Sequence, residues 1–199
     1  MIISIIGNNA SGKTTLAETL GQLPRLTAYF ESHTDRPYQA LFSVDPHRFA
    51  LKNQLDYLLA RAEQEQEIRA AGGIGVQDGG LDQDFHLYTR LFHHKGFLDK
   101  DEFLLCERAY LSLRAGLPAP ELYIYLTAPL DTLRDRLQAR GRSIDLNTIV
   151  TIDDLPTLQG YLEEWTAKIS PPPLTLGADE VALSSPEFVS GLETAIQGK

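Results

Sequence analysis

The sequence predicts an α/β protein built on a doubly wound parallel sheet of about five strands, with helices on both faces. Three observations carry that expectation. Apolar runs of strand length, at 2–6, 26–30, 74–77, 121–126 and 174–176, alternate with segments of helical period along the whole chain, and such alternation implies parallel strands joined by crossover helices. The first run leads into Gly7-Asn8-Asn9-Ala10-Ser11-Gly12-Lys13-Thr14, a GxxxxGK[ST] loop, which opens an amphipathic stretch carrying Leu16 and Leu20. At 199 residues, with no internal repeat, low-complexity block or linker, the chain is sized for a single domain, 1–199, with a substantial core.

Ile2-Ile3-Ser4-Ile5-Ile6 delivers the chain to the loop, and this strand–loop–helix order marks the P-loop NTPase type. Backbone N–H groups of such a loop, with the positive end of the next helix, surround a chain of phosphates. Gly7, Asn8, Asn9, Ala10, Ser11, Gly12, Lys13, Thr14 and Thr15 are therefore the expected nucleotide site. Lys13 is placed to reach the β and γ phosphates, and the Thr14 hydroxyl to bind Mg²⁺. Gly7 and Gly12 stand where a Cβ would collide or forbid the backbone angle. Gly21 and Pro24 end the first helix after about two turns.

Leu26 to Phe30 forms the second strand and leaves Glu31 at its carboxyl end, the edge where open α/β sheets bind ligands; read alone, Glu31 also fits a solvated loop that continues through Ser32 and His33. Asp45 caps and Pro46 begins a long helix of about 46–71, closed by Gly72-Gly73. Leu51, Leu55, Leu58 or Leu59, and Ala62 make its buried stripe. Gln54, Tyr57 and Arg61 share another face, either touching a substrate or, as the period alone slightly favours, facing water. Glu63, Glu65 and Glu67, interleaved with Gln64 and Gln66, read as a solvated face. The third strand ends in Asp78-Gly79-Gly80. A carboxylate there, beside a phosphate loop, is the usual second contact to Mg²⁺; the alternative is an ordinary turn aspartate.

A helix follows from about Asp82 to His94, with His86, His93 and His94 read as surface or helix-end residues, and another from about Asp99 to Ala115 with Cys106 in its core. Glu121 to Leu126 is an interior strand, and Pro129 starts a helix with Leu130, Leu133 and Leu137 inward. Arg134, Arg136, Arg140 and Arg142, four arginines within nine residues, lie on its outer side and just beyond its end. Arginine's rigid fork suits phosphate oxygens, whereas pairing with Asp131 and Asp135 would be structural; Arg134 fits the second role, Arg140 and Arg142 the first. A packing helix from Asp153 to Ile169 contains Trp165, and a terminal helix is expected from Pro186 to Ile196.

The balance of 18 basic against 27 acidic residues, net charge −9, argues against a nucleic-acid partner, which needs a basic face. The single cysteine excludes an internal disulfide, and the five-residue opening run lacks a basic leader, so a reducing cytoplasm is expected. No stretch approaches the ~20 apolar residues that span a bilayer, so no membrane partner is expected.

The order of these features resembles the deoxyribonucleoside kinases of the thymidylate-kinase-like P-loop fold. That resemblance runs over nearly the whole chain. It rests on the phosphate loop, Glu31 after the second strand, Asp45-Pro46 with Gln54 facing the base, the arginine-rich lid at about 138–147 (Arg136, Arg140-Gly141-Arg142-Ser143 and Asp145), and the helix ending Glu163-Glu164-Trp165. It implies transfer of the γ-phosphoryl of ATP, with Mg²⁺, to a hydroxyl of a nucleoside-like small molecule, and chains that pair as homodimers. By the same resemblance, Glu31 accepts the hydroxyl proton, and Lys13, Arg140 and Arg142 act on the transferring group. Arg136 serves the nucleotide; Gln54, Tyr57, Asp78 and Asp145 serve the acceptor; Thr14 and Asp78 hold the metal. The chain departs from the family in one motif: Asp78-Gly79-Gly80 replaces Glu-Arg-Ser, removing an arginine from the acceptor's 5′-hydroxyl region, so that Arg36, Arg48 or Arg61 must substitute or the acceptor must differ. A family tyrosine that touches the sugar also falls at Ser43. Two other readings stay open at this point, a nucleoside monophosphate or other metabolite kinase of the same fold, and a nucleotide-binding switch. The absence of an NKxD tetrapeptide favours ATP over GTP.

Overall fold

In the computed structural model, which describes residues 1–30, 36–139 and 149–178 together with Ser185 and Thr194, β1 (Ile2–Gly7) is the middle strand of a five-stranded sheet. Its flanks are β3 (Ile74–Asp78) and β4 (Leu122–Thr127); β2 (Leu26–Tyr29) and β5 (Leu174–Gly177) form the edges, in the order β2-β3-β1-β4-β5. All four pairings are parallel, with Ile5 opposite Asp78 and Gly7 opposite Leu126. A strand buried on both faces reads as a continuous apolar run, which is why the sequence of β1 shows no alternation.

Side chains of β1 nevertheless divide between two layers. Ile3 and Ile5 pack with Leu16, Ala17 and Leu20 of α1 (Lys13–Gly21), while Ile6 packs with Leu87, Leu91, Leu158, Leu162 and Trp165 on the other face. Burying each such Leu or Ile stabilises the fold by about 1.5–3 kcal/mol. A third apolar cluster joins α2 (Gln39–Val44), α3 (Pro46–Ala71) and α6 (Lys100–Gly116) around Phe42, Leu58, Phe92 and Cys106. α3 begins as expected, with the Asp45 carboxylate accepting from Arg48 N and Pro46 in the first turn. α6 starts on a reciprocal capping box between Asp99 and Glu102. α7 (Leu130–Ala139) follows β4, and a 3₁₀ turn (Ile152–Asp154) leads into α8 (Leu155–Thr166).

Four local readings are corrected. The helix expected over 82–94 is α4 (Leu81–Gln83), a wider π-helical stretch (Asp84–Thr89) and α5 (Arg90–His94). The short α2, within the stretch read as loop, has no cap signal and is held by Phe42 in the core. Glu65 is not solvated: it is 0% exposed, because Arg114 from α6 grips both its oxygens at 2.8 and 3.0 Å. His86 is not a surface residue, since it stacks on Trp165 at 5.0 Å and burial lowers its pKa to about 4. His93, half-buried, lies on Phe103 with Nδ1 2.9 Å from the Leu98 carbonyl, and His94 is exposed. Cys106 is buried as read, its thiol pushed up to about 12 by burial. Among the described residues no helix is long and apolar enough to cross a membrane. The expected terminal helix lies outside the described residues, Thr194 excepted.

Candidate active site

The phosphate loop connects the carboxyl end of β1 to the start of α1, and its shape is dictated by its own backbone. Gly12 has φ +100 and Ala10 φ +61, so successive amides turn inward; at Gly7 a Cβ would lie 2.6 Å from Ser11 Oγ and 2.8 Å from the Leu126 carbonyl. Neighbouring elements then fix the loop. Gly7 N donates to Gln83 Oε1 at 2.9 Å, Tyr88 OH to Asn9 Oδ1 at 2.7 Å, and Asn8 Nδ2 to the Leu155 carbonyl at 3.0 Å. Arg136 spans Ala10 O at 3.4 Å and Ala178 O at 2.7 Å, tying α7 and the end of β5 to the loop. Lys13 Nζ folds back onto the carbonyls of Gly7 and Asn8, at 3.1 and 2.9 Å, which holds its charge over the loop's mouth. Thr15, half-buried in the first turn of α1, accepts from Thr19 through its carbonyl.

Thr14 Oγ1 donates to Asp78 Oδ2 at 2.5 Å, so the hydroxyl that ends the loop and the carboxylate that ends β3 meet at one point. Two hard oxygen donors at the mouth of a phosphate site suit Mg²⁺, an ion that keeps several waters and takes its other ligands from phosphate. Among the described residues no three His, Cys, Asp or Glu side chains converge on one point. Beyond the loop, Thr127, Ala128, Pro129, Thr132, Arg136 and Ala178 line an open cavity of about 630 Å³.

Between α3 and the segment that follows β3, a polar set is buried where the period of α3 favoured water. Gln54 Nε2 donates to the Asp84 carbonyl at 3.3 Å, and Thr89 Oγ1 donates to the same oxygen at 3.2 Å. A π turn leaves carbonyls without their ordinary helical partners, and here two side chains supply them. Arg61 Nε donates to Asp84 Oδ2 at 2.7 Å, and Tyr57 OH to Gln39 Oε1 of α2. Gln54, Tyr57 and Arg61 thus share a face as the period required, but that face is covered by α2 and the π segment. Arg36 bonds Asp56 at 3.3 Å and lies over the Tyr57 ring; Arg48 lies over Phe49, and Ser43 is exposed. Arg134 pairs with Asp131 at 2.8 Å, the structural role read for it. Glu31, Arg140, Arg142 and Asp145 lie outside the described residues.

Asp84, Gln83 and Gln39 were not anticipated. For Asp84 and Gln83 the sequence signal was a helical pattern in which polar residues fell on the same side as Leu87 and Leu91, too weak without knowledge of the partner elements, and Gln39 lies in a short helix that was not expected.

Comparison with known proteins identifies the family and the fold. Residues 3–189 match the family model described as deoxynucleoside kinase. The chain is 29% identical over 153 residues to the deoxyadenosine/deoxycytidine kinase of Bacillus subtilis (strain 168), covering 74% of this chain and 69% of that protein. It is 29% identical over 168 residues to the deoxyadenosine kinase of Dictyostelium discoideum, with 84% and 67% covered. Among solved structures, deoxyadenosine kinase from M. mycoides with bound dCTP superposes with a TM-score of 0.78 at 18% identity over 100% of both chains, a likeness of fold. With its family model matched over residues 3–189, and with a phosphate loop, a strand-end carboxylate and a buried polar cluster in its structure, the chain belongs to the deoxynucleoside kinase family.

Proposed function

We propose that this enzyme moves the γ-phosphoryl group of ATP, bound with Mg²⁺, to the 5′-hydroxyl of a deoxynucleoside whose base sets an exocyclic amino group beside an unprotonated ring nitrogen, adenine or cytosine. The observation that carries the reading is the meeting of Thr14 with Asp78 next to Lys13, with the buried Gln54–Arg61–Asp84 set gathered on the segment that follows Asp78. One side can receive phosphates and the other can offer both donors and acceptors to a base. The relatives named for deoxyadenosine and deoxycytidine support that choice. The cavity bounded by Arg136 and Ala178 takes the donor's base.

Phosphoryl transfer asks the protein mainly to position reactants and offset charge. Lys13 leaves the loop carbonyls for the β and γ phosphates, the loop amides hold the chain of oxygens, and Tyr57 and Gln54 fix the acceptor. When bound at Thr14 and Asp78, Mg²⁺ supplies further neutralisation of the phosphate oxygens. Glu31, which follows β2, takes the hydroxyl proton, and Arg140, Arg142 and Asp145 belong to a lid at 138–147; these assignments stand on sequence position. The chain works as one catalytic domain in the cytoplasm, without nucleic acid or membrane, and pairs with a second copy. Exposed Leu59 on α3 and Leu104 and Leu111 on α6 support the pairing, because those two helices pack side by side.

ADP release in the presence of deoxyadenosine or deoxycytidine tests the reaction, with product mass as the check. Lys13→Ala is expected to abolish turnover and weaken ATP binding strongly, whereas Glu31→Gln abolishes turnover and leaves ATP binding near the parent value. Undiminished turnover in Glu31→Gln removes the base assignment, and a diphosphate product overturns the nucleoside acceptor.

A further inference from the structure

At the carboxyl edge of the sheet β1 outruns its neighbour β3. Ile5 lies opposite Asp78, the last residue of β3, and the Ile5 carbonyl still accepts from Gly79 N at 2.9 Å; there the chain turns away through Gly79-Gly80, with φ +78 and +131. In a parallel ladder alternate residues point their backbone groups at the same neighbour, so the N–H of Gly7 faces the place where β3 has ended. Gly7 is buried, and a buried N–H without an acceptor is costly. The Gln83 side chain supplies that acceptor, with Oε1 2.9 Å from Gly7 N. Gln83 is 3% exposed, and a Cβ built on Gly79 would lie 3.3 Å from its Nε2, so the bare turn leaves the room that this side chain occupies.

Gly7 is the residue at which strand becomes phosphate loop, and side chains hold both of its polar groups: Gln83 the N–H, and Lys13 Nζ the carbonyl at 3.1 Å. Its remaining flank is fitted against Ser11 Oγ and the Leu126 carbonyl, which a Cβ would strike. When Lys13 turns to the phosphates its hold on the Gly7 carbonyl is lost, whereas the Gln83 contact needs no change. We propose that Gln83 is a positioning residue for the phosphoryl donor: it extends the ladder of β3 by one side-chain acceptor and so keeps the first residue of the phosphate loop in line while the lysine is engaged by phosphate. The inference rests on the phosphotransfer reading and deepens it, because the segment after Asp78 serves the acceptor there, and Gln83 becomes the member of that segment that serves the donor. The competing role confines Gln83 to the acceptor, through its chain neighbour Asp84.

The two roles separate in binding, without turnover. Gln83→Met keeps an unbranched side chain of similar length and removes the acceptor. Isothermal titration of Mg·ATP and, separately, of deoxyadenosine reads the donor side and the acceptor side, with circular dichroism as the check of fold. The variant is expected to bind Mg·ATP on the order of tenfold more weakly, within the range for leaving one buried N–H unpaired, and to bind deoxyadenosine as tightly as the parent. A second readout needs no variant: in the parent's complex with Mg·ATP the Gly7 N–H is expected to be protected from hydrogen exchange, and exchange there at the rate of an open amide overturns the inference even where Gln83→Met does not fold. Weakening of deoxyadenosine equal to or greater than that of Mg·ATP, or no change in either, also overturns it while the kinase reading stands. A parent chain that binds neither ligand and releases no ADP with any deoxynucleoside brings down the reading itself.

Discussion

His86 shows how one residue's surroundings set a property of the whole enzyme. Its ring lies 5.0 Å from the Trp165 ring and its Nε2 3.3 Å from Tyr110 OH. Burial lowers its pKa from 6.5 to about 4, with Asp82 opposing and Arg90 assisting the shift. In the unfolded chain the imidazole takes its proton near pH 6.5, in the folded chain only near pH 4. Between those values the unfolded state binds more protons, so this contribution to stability is full above pH 6.5 and is lost as the pH falls towards 4. The ceiling is about 3 kcal/mol. Glu121, held below its ordinary range by Arg69 and the Ile2 amide against the pull of its own burial, titrates in the same acid direction but is unchanged by a substitution at His86. Urea unfolding of His86→Phe is therefore expected to lose about 1–3 kcal/mol less than the parent between pH 7 and pH 4.5. Parallel losses in the two proteins would show that the imidazole is not buried neutral.

At the scale of the element, α3 carries two stripes, and only one was legible. Leu58 and Ala62 are buried as the apolar period required, Leu51 and Leu55 partly so, and Leu59 points outward. The second stripe, Gln54, Tyr57, Arg61 and Glu65, has the same period and is just as buried, but its partners come from residues 39, 84 and 114. Polar side chains at helical spacing face water unless something far along the chain meets them, and one helix cannot announce that. The π turn was hidden for a related reason, since one extra residue in a turn leaves the apolar period almost intact. The phosphate loop was legible because its chemistry lies in eight consecutive residues. Arg114 shows what the hidden stripe is worth: besides gripping Glu65, it places Nε 3.0 Å from Asp82, which also accepts from Tyr110 and Tyr123. Burial, then Asp82, pushes both phenols above their ordinary range, so the carboxylate stays the acceptor. Arg114→Met strands two buried carboxylates and is expected to destabilise the fold by about 3–5 kcal/mol, measured by urea unfolding. A loss below about 1 kcal/mol, the value for surface pairs, would place the network in water instead.

For the molecule as a whole, strand order follows from the β1 loop: it must open at the carboxyl edge of the sheet between β3 and β4, and the order β2-β3-β1-β4-β5 puts it there. The proposed pairing of chains is a separate matter, to be tested on what the helical layer leaves uncovered. Leu104 and Leu111 lie two turns apart on one face of α6, and Leu59 lies on α3, the helix packed beside it; Leu59 and Leu111 are 52% and 56% exposed. Single exposed leucines are unremarkable, but an interface on this helix pair would draw its apolar area from these three. A chain of net charge −9 repels its own copy, so an association of like chains needs such apolar area to offset that repulsion and should tighten with added salt. Sedimentation equilibrium at micromolar concentration is expected to give twice the 22.1 kDa chain mass for the parent. Leu59→Glu with Leu111→Glu should return the single-chain mass, because the two carboxylates add like charge where apolar contact was required. A parent that sediments as one chain, or a double variant that still sediments as two, rules out α3 and α6 as the pairing surface.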